Sequence, residues 1–182
     1  MKKHLIKTVD ALYLEMQDLI DRCNIPSKHE LISTQSSNTT IEWDPLENFC
    51  QGDNQIVESY NEQRQAIQLC KNAIDDYLNV NKQTVLTKSI AIRGHPGAGK
   101  TFCMIYSIVY AITRGLIVIP TAKMSHRSLQ LGGINWDKLL CLRGNEERIG
   151  IYRRAELAIQ EYVKIEREKI FFSVSISYLP MN

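Results

Sequence analysis

The sequence has no apolar run long enough to cross a membrane, and its charges nearly balance. Its 22 basic and 20 acidic residues leave a net charge of +2, which indicates no gross polyanion-binding tail. Near the N-terminus, Lys7 and Asp10 interrupt any apolar core of a signal peptide. These absences argue against a membrane protein and against a secreted one.

The cysteines also lack a metal-binding pattern. None belongs to a Cys-x-x-Cys motif, and none lies near a pair of histidines, so the sequence predicts no zinc site. Cys103 lies in an apolar stretch, where we expect it to pack as a small hydrophobic residue. We expect a reduced, intracellular chain. The five cysteines are Cys23, Cys50, Cys70, Cys103 and Cys141.

What the sequence does contain is a glycine-rich motif at residues 94–101, which fits the P-loop pattern Gly-x-x-x-x-Gly-Lys-Thr. Its glycines permit positive φ and leave backbone N–H groups open to phosphate oxygens. Lys100 can reach the outer phosphates, and the Thr101 hydroxyl can ligate Mg²⁺. The motif therefore predicts ATP and Mg²⁺ as cofactors, with Lys100 and Thr101 as the catalytic residues and Thr101 as the metal ligand. The predicted nucleotide-binding residues of this stretch are Gly94, His95, Pro96, Gly97, Ala98, Gly99, Lys100, Thr101 and Phe102.

The segments around the motif alternate between strand and helix patterns. Residues 88–93 are predicted to form a strand, and residues 102–113 form a charge-free stretch that predicts a buried helix. Gly115 is expected to cap that helix. Apolar runs at 116–120 and 170–178 predict two further strands. This alternation indicates an α/β fold: a P-loop NTPase with a RecA-like parallel sheet and flanking helices, incomplete because only three strands are identified.

The remaining segments are less regular. Residues 4–22 have the spacing of an amphipathic helix, and residues 56–79 that of one or two helices. The polar stretch 24–55 predicts a loop or linker, in which Trp43 and Phe49 are possible anchors. We therefore expect an N-terminal helix and linker at 1–55, followed by a partial P-loop domain at 56–182.

Beyond Gly115, residues 121–144 predict irregular structure, with a break at the double glycine Gly132-Gly133. Asn145 is expected to cap a helix that continues to about residue 168.

After Thr101 the sequence lacks an apolar strand that ends in an acidic residue. P-loop hydrolases commonly use such a residue to hold Mg²⁺ or to orient water. Asp137 follows Ile134-Asn135-Trp136, which is not expected to form a strand, and the strand predicted at 170–178 offers serines instead. Any hydrolysis by this chain alone is therefore expected to be slow.

Four segments occur in a recognisable order: Asn61-Glu62-Gln63-Arg64-Gln65-Ala66, the P-loop, Leu116 to Ala122, and Leu131 to Leu139. Over roughly residues 56–168 they resemble the N-terminal motor domain of the Pif-type (petite integration frequency) DNA helicases. The resemblance implies that Gln63 contacts adenine and that Pro120 and Thr121 touch single-stranded DNA. It also implies ATP hydrolysis coupled to 5′-to-3′ unwinding in DNA replication, repair, recombination and telomere maintenance, in the nucleus or mitochondria.

The chain departs from this family pattern at several positions. It has Ala122 where the family usually has glycine, and Asp137 where histidine is common. Residues 170–182 diverge where the acidic metal-site motif should follow, and the sequence contains no second motor domain with its arginine finger. We therefore expect a truncated product, an alternative splice form or a faulty gene model, which cannot unwind DNA alone.

Two other functions fit parts of the pattern. The first is an AAA+-type ATPase, because the loops of such proteins often carry proline before glycine, as Pro96-Gly97 does here. The second is a non-catalytic nucleotide-binding module that uses its N-terminal helix to bind a partner. Several basic residues could guide single-stranded DNA while Trp136 stacks on a base. We favour instead a solvated basic face and a core tryptophan, because a net charge of +2 leaves little surplus positive charge. These basic residues are Arg127, Arg143, Arg148, Arg153 and Arg154.

Overall fold

The computed structural model describes residues 2–37, 39–49, 57–79, 90–122, 130–135 and 171–176. Residues 16–116 form one compact unit, and residues 1–15 with 117–182 form another. No described helix is both long enough and apolar enough to span a membrane. The helices are α1 Lys2–Glu15, α2 Lys28–Ser37, α3 Val57–Asn79 and α4 Lys100–Thr113, with a 3₁₀ turn at Gln17–Leu19, and the strands are β1 Ile117–Ala122, β2 Ile134–Asn135 and β3 Phe171–Ile176.

Helix α4 is the centre of the unit formed by residues 16–116. Every residue from Cys103 to Thr113 is buried, and both α2 and α3 pack against this helix. An apolar stretch without charge stabilises a helix only when neighbouring elements cover all its faces. The buried helix predicted for residues 102–113 is confirmed.

Helix α3 crosses α4 with a stripe of buried side chains. Ile67, Cys70 and Ile74 lie at helical spacing and are all buried, which places them on one face of α3. The helical pattern predicted for residues 56–79 is confirmed as one continuous helix.

The prediction of a loop or linker over residues 24–55 is wrong at residues 28–37, which form α2. Ser27 and Glu30 form a reciprocal capping box at the start of this helix: the Ser27 N–H donates to Glu30 Oε2 at 2.7 Å, and the Glu30 N–H donates to Ser27 Oγ at 3.3 Å. The hydroxyl of Ser27 also donates to Glu30 Oε2 at 2.6 Å. A capping box satisfies backbone donors at a helix N-terminus, which explains a helix in a segment whose composition is loop-like.

Residues 39–49 are held against α4 by aromatic rings. Trp43 and Phe49 are both buried, and their ring centroids lie 5.7 Å and 6.0 Å from that of Tyr106. The indole N–H of Trp43 donates to the Cys23 carbonyl at 3.2 Å. The anchoring role predicted for these two aromatic residues is confirmed.

A polar cluster on the same unit joins residues 39–49 to α3 and α4. Lys71 Nζ lies 3.3 Å from Asp44 Oδ2 and 3.4 Å from Asp75 Oδ2, and the Tyr110 hydroxyl donates to Asp75. Burial lowers the pKa of Lys71, but the charges of Asp44 and Asp75 outweigh burial and leave that pKa raised. Lys71 is therefore a cation throughout the neutral range.

The strand predicted at residues 88–93 is wrong over its described part. Residues 90–93 form no strand, and the side chains of Ile90, Ala91 and Arg93 are exposed. A strand is stable when its backbone groups pair with a neighbour, and no described strand pairs with these residues. An irregular and mostly exposed segment therefore leads into the glycine-rich motif.

The second unit contains a parallel three-stranded sheet of order β2-β1-β3. Along β1, residues 117–122 pair with residues 171–176 of β3, and Thr121 pairs with Ile134 of β2. The strands predicted at 116–120 and 170–178 are thereby confirmed over residues 117–120 and 171–176. The prediction that Ile134-Asn135 forms no strand is wrong, because these two residues extend the sheet beside β1.

Helix α1 packs against β1 through a buried stripe of Leu5, Val9 and Leu12. The prediction of one helix over residues 4–22 holds only as far as Glu15, where α1 ends and is followed by the separate 3₁₀ turn. The exposed side chains of Ile6 and Leu14 lie off the buried stripe.

The double glycine has a packing role in this second unit. Gly132 has φ of +64°, and a Cβ there would lie 2.8 Å from Thr8 Cα, while a Cβ at Gly133 would overlap the Pro120 carbonyl. The Pro120 carbonyl points toward the β2 side of β1. An N–H at position 120 would point to the same side, but β2 begins only opposite Thr121 and would offer it no strand partner. Proline is therefore tolerated within β1.

The cysteines correct one expectation. Cys23 is disulfide-bonded, whereas Cys70 and Cys103 are free and buried. The prediction of a fully reduced chain is wrong for Cys23, because distance along the chain does not reveal which cysteines meet in the fold.

Several predictions fall on residues outside the described ranges. They concern the helix that begins at Asn145, the acidic candidate Asp137, the stacking role of Trp136, and the basic residues Arg127, Arg143, Arg148, Arg153 and Arg154.

Candidate phosphate-binding site

The first half of the glycine-rich motif is a tight turn. The Ala98 N–H donates to the His95 carbonyl at 3.2 Å, and Gly97 has φ of +83°. Proline at the second position and a positive φ at the third are typical of a type II turn. The residue pair Pro96-Gly97 therefore shapes the loop, and residues 94–98 are all exposed.

The second half of the motif joins the turn to α4. Gly99 is the N-cap residue, with φ of +75° and no side-chain cap. The first intrahelical bond runs from the Cys103 N–H to the Gly99 carbonyl at 3.0 Å. The N–H groups of Thr101 and Phe102 precede that bond and have no carbonyl one turn earlier in the helix. Together with the helix dipole, such amides favour an anion at this end of α4.

Lys100 folds back over the loop that precedes it. Its ammonium group donates to the Gly94 carbonyl at 2.8 Å and to the His95 carbonyl at 2.7 Å. These two bonds hold a positive charge against the exposed turn. An ammonium group is a compact positive charge of the kind that binds phosphate oxygens.

Thr101 and Phe102 lie in the first turn of α4 and are partly exposed. Phe102 packs its ring against Tyr106 at a centroid distance of 4.5 Å and against Phe49 at 5.7 Å. The guanidinium of Arg64 lies 5.5 Å from the Phe49 ring centroid. The ring of Phe102 therefore anchors the start of α4. The group of Phe102 that can bind a ligand is its backbone N–H.

Gln63 lies beside the motif, although 35 positions separate it from Ala98. Its side-chain Nε2 donates to the Ala98 carbonyl at 3.3 Å. A Cβ added to Gly99 would overlap the amide group of Gln63. The structure thus brings together Gln63 and the loop, which the sequence connects only through the family resemblance.

Two buried thiols lie between α3 and α4 near this end. Burial raises the pKa of the Cys103 thiol to about 11, and the neighbouring Cys70 adds to that effect. Burial likewise raises the pKa of Cys70. Both thiols are protonated at neutral pH, and protonated buried cysteines are poor nucleophiles. The Cys103 Sγ instead donates a weak hydrogen bond to the Gln63 carbonyl at 3.8 Å.

The residues predicted to touch DNA lie in the second unit. Pro120 and Thr121 are both buried, with Thr121 only 1% exposed. In this conformation neither side chain presents a surface to a nucleic acid strand.

Within the described ranges, no group of three or more His, Cys, Asp or Glu side chains could hold a metal ion. Comparison of the chain with models of protein families, with curated proteins and with solved structures finds no match.

Proposed function

We propose that residues 94–102 bind the polyphosphate of a nucleoside triphosphate, with ATP and Mg²⁺ as the physiological pair. The observation that carries this proposal is the arrangement at the start of α4. Two left-handed glycines, Gly97 and Gly99, bring an exposed turn onto the helix N-terminus, and the Lys100 ammonium lies against the same turn. Bare amides and one cation in this order suit phosphate oxygens.

The predicted residues at the start of α4 each have a role in this proposal. Lys100 supplies charge to the outer phosphates, and the Thr101 hydroxyl ligates Mg²⁺. The amides of the first turn of α4 bind oxygen atoms, and the ring of Phe102 keeps that turn in place. A P-loop NTPase fold of RecA-like type is part of the same proposal, supported by the motif and by the parallel pairing of β1 with β2 and β3.

The finer proposal is that the chain is the ATP-binding part of a Pif-type DNA helicase, with single-stranded DNA as a partner. The order of the Gln63 segment, the P-loop and the double glycine supports it. We do not expect these 182 residues by themselves to separate strands, because translocation requires two motor domains that close on ATP.

A titration with an ATP analogue that carries a fluorophore on its ribose tests nucleotide binding. Lys100→Ala should weaken binding by roughly tenfold to 100-fold, since hydrogen bonds to charged groups contribute about 1.5–3 kcal/mol each. Lys7→Ala is the matched control, because Lys7 is an exposed lysine of α1 and its loss changes the net charge equally. Circular dichroism should show the same helix content in all three proteins.

Equal affinity in wild type and Lys100→Ala would overturn the assignment of the loop, as would a wild type that ATP fails to occupy at millimolar concentration. Phosphate release in the presence of single-stranded DNA then separates an ATPase from a nucleotide-binding module. Strand separation by this chain alone would contradict the requirement for a second motor domain.

A further inference from the structure

We propose that Gln63 is a positioning residue for the phosphate-binding loop, and that it acts on bound polyphosphate through the Ala98–Gly99 peptide rather than by reading the base. This inference rests on the proposed function, and it assigns to Gln63 a role other than the adenine contact that the family resemblance implies.

The first step concerns the orientation of one peptide group. Gln63 Nε2 donates to the Ala98 carbonyl at 3.3 Å, so that oxygen points toward α3. In a trans peptide the carbonyl and the following N–H point in opposite directions. The Gly99 N–H is therefore turned away from α3. Gln63 thus decides which way a loop amide faces.

The second step is that Gln63 is itself held in place. Its backbone carbonyl accepts the weak hydrogen bond from Cys103 Sγ at 3.8 Å, so the residue is tied to α4 as well as to the loop. One turn further along α3, Ile67 is buried with 1% exposure. A donor on a packed helix can fix a loop more firmly than one on a flexible segment.

The third step is the close approach at Gly99. The amide of Gln63 occupies the space that a side chain at Gly99 would need, whereas a Cβ at Gly97 would meet nothing within 4 Å. The two glycines have similar φ values, +75° and +83°. Alanine at Gly99 and alanine at Gly97 should therefore add similar backbone strain, but only alanine at Gly99 would also collide with Gln63.

The first experiment measures which ligands lose affinity. Gln63→Met keeps the length of the side chain and removes the N–H donor; Gln65→Met, on the exposed face of the same helix, is the control. Affinities are measured for ATP, GTP and inorganic tripolyphosphate. A positioning role predicts that Gln63→Met weakens all three by a similar factor, roughly threefold to tenfold for one lost hydrogen bond, and that Gln65→Met changes none.

A different outcome points to base reading. If Gln63→Met weakens ATP and leaves GTP and tripolyphosphate unchanged, Gln63 recognises adenine and the inference is wrong. Unchanged affinity for all three ligands also overturns it.

The second experiment needs no nucleotide, so it decides the contact even if the proposed function fails. Gly99→Ala and Gly97→Ala are made in the wild type and in Gln63→Ala, and the melting temperature of each protein is measured. Gly97→Ala should lower the melting temperature equally in both backgrounds, because only backbone strain is added. Gly99→Ala should lower it more in the wild type, by about 2–4 °C or more, and by the same amount as Gly97→Ala once Gln63 is removed. An equal loss for Gly99→Ala in both backgrounds would contradict the contact with Gln63.

Discussion

The two ends of α4 both use a left-handed glycine, but different groups surround each end. At the C-terminal end, Gly115 has φ of +77°. Its N–H donates to the Ile112 carbonyl and the Leu116 N–H donates to the Ala111 carbonyl, each at 2.9 Å, which is a Schellman motif. At the N-terminal end, Gly99 leads from an exposed turn that Lys100 and Gln63 hold through side-chain hydrogen bonds.

The difference shows which end is available for a ligand. The carbonyls at the C-terminal end are used within the protein, including that of Thr113, which accepts the Ile41 N–H at 2.9 Å. At the N-terminal end the backbone bonds of the helix begin only with Cys103, so amides remain for an anion. The C-terminal end therefore contributes to stability, and the N-terminal end is the one that we propose binds a ligand.

The largest effect is expected from a substitution at the buried C-terminal end of α4. Ile112 is 0% exposed, so Ile112→Ala should lower the free energy of unfolding by about 2–5 kcal/mol, through lost burial and the cavity left behind. Ile90 precedes the loop and is 40% exposed, so Ile90→Ala should cost less than about 1 kcal/mol. Chemical denaturation measures both.

The same pair of variants also tests whether residues 90–93 are an exposed segment and not part of the strand predicted at residues 88–93. A buried strand there would make Ile90→Ala nearly as costly as Ile112→Ala. Similar losses for the two variants would contradict the exposed segment that leads into the loop.

An intermediate effect is expected at Gly115. Gly115→Ala adds a Cβ at a positive φ with no atom within 4 Å, so the cost is backbone strain alone, about 1–2 kcal/mol. Thermal unfolding should show the loss, while affinity for the fluorescent ATP analogue stays at the wild-type value. A change in nucleotide affinity without a loss of stability would mean that the two ends of α4 are not separate in function.

The smallest effect is expected at the cap of α2, the helix that packs on α4. Hydrogen bonds from the Ser27 side chain and backbone lower the pKa of Glu30 below its ordinary value of 4.5. A carboxylate with a lowered pKa in the folded state stabilises the fold above the pKa of the unfolded chain, and this contribution is lost as pH falls through the folded value.

Glu30→Gln removes that charge and keeps an acceptor for the cap. The melting temperature of the wild type should fall more steeply than that of Glu30→Gln as the solution is taken below pH 4.5. Parallel curves would show that the carboxylate does not stabilise α2.

Local patterns predicted some elements well. The charge-free stretch that becomes α4, the apolar runs that become β1 and β3, and the glycine at the end of α4 carry their own signals. The capping box at Ser27 and Glu30 was also present in the sequence, yet the polar composition around it favoured a loop. Residues 90–93 show the opposite error, since an apolar run forms a strand only when a partner strand lies beside it.

Some residues of the candidate site could be predicted from local patterns, and others could not. Lys100, Thr101 and the glycines follow from spacing alone, because the motif is contiguous. The contact of Gln63 with Ala98 spans 35 positions, and no local pattern specifies which carbonyl that amide meets. The packing of Phe102 against Phe49 likewise depends on how residues 39–49 cross α4.

By itself, the sequence determined where the glycines, the lysine and the apolar helix stand, since backbone freedom, charge and hydrophobic periodicity are properties of neighbouring residues. The tertiary structure alone decided that Gln63 meets the loop, that residues 90–93 stay exposed and that Pro120 and Thr121 are buried. Those outcomes depend on which distant segments compete for the same space, and that competition is resolved only when the chain packs.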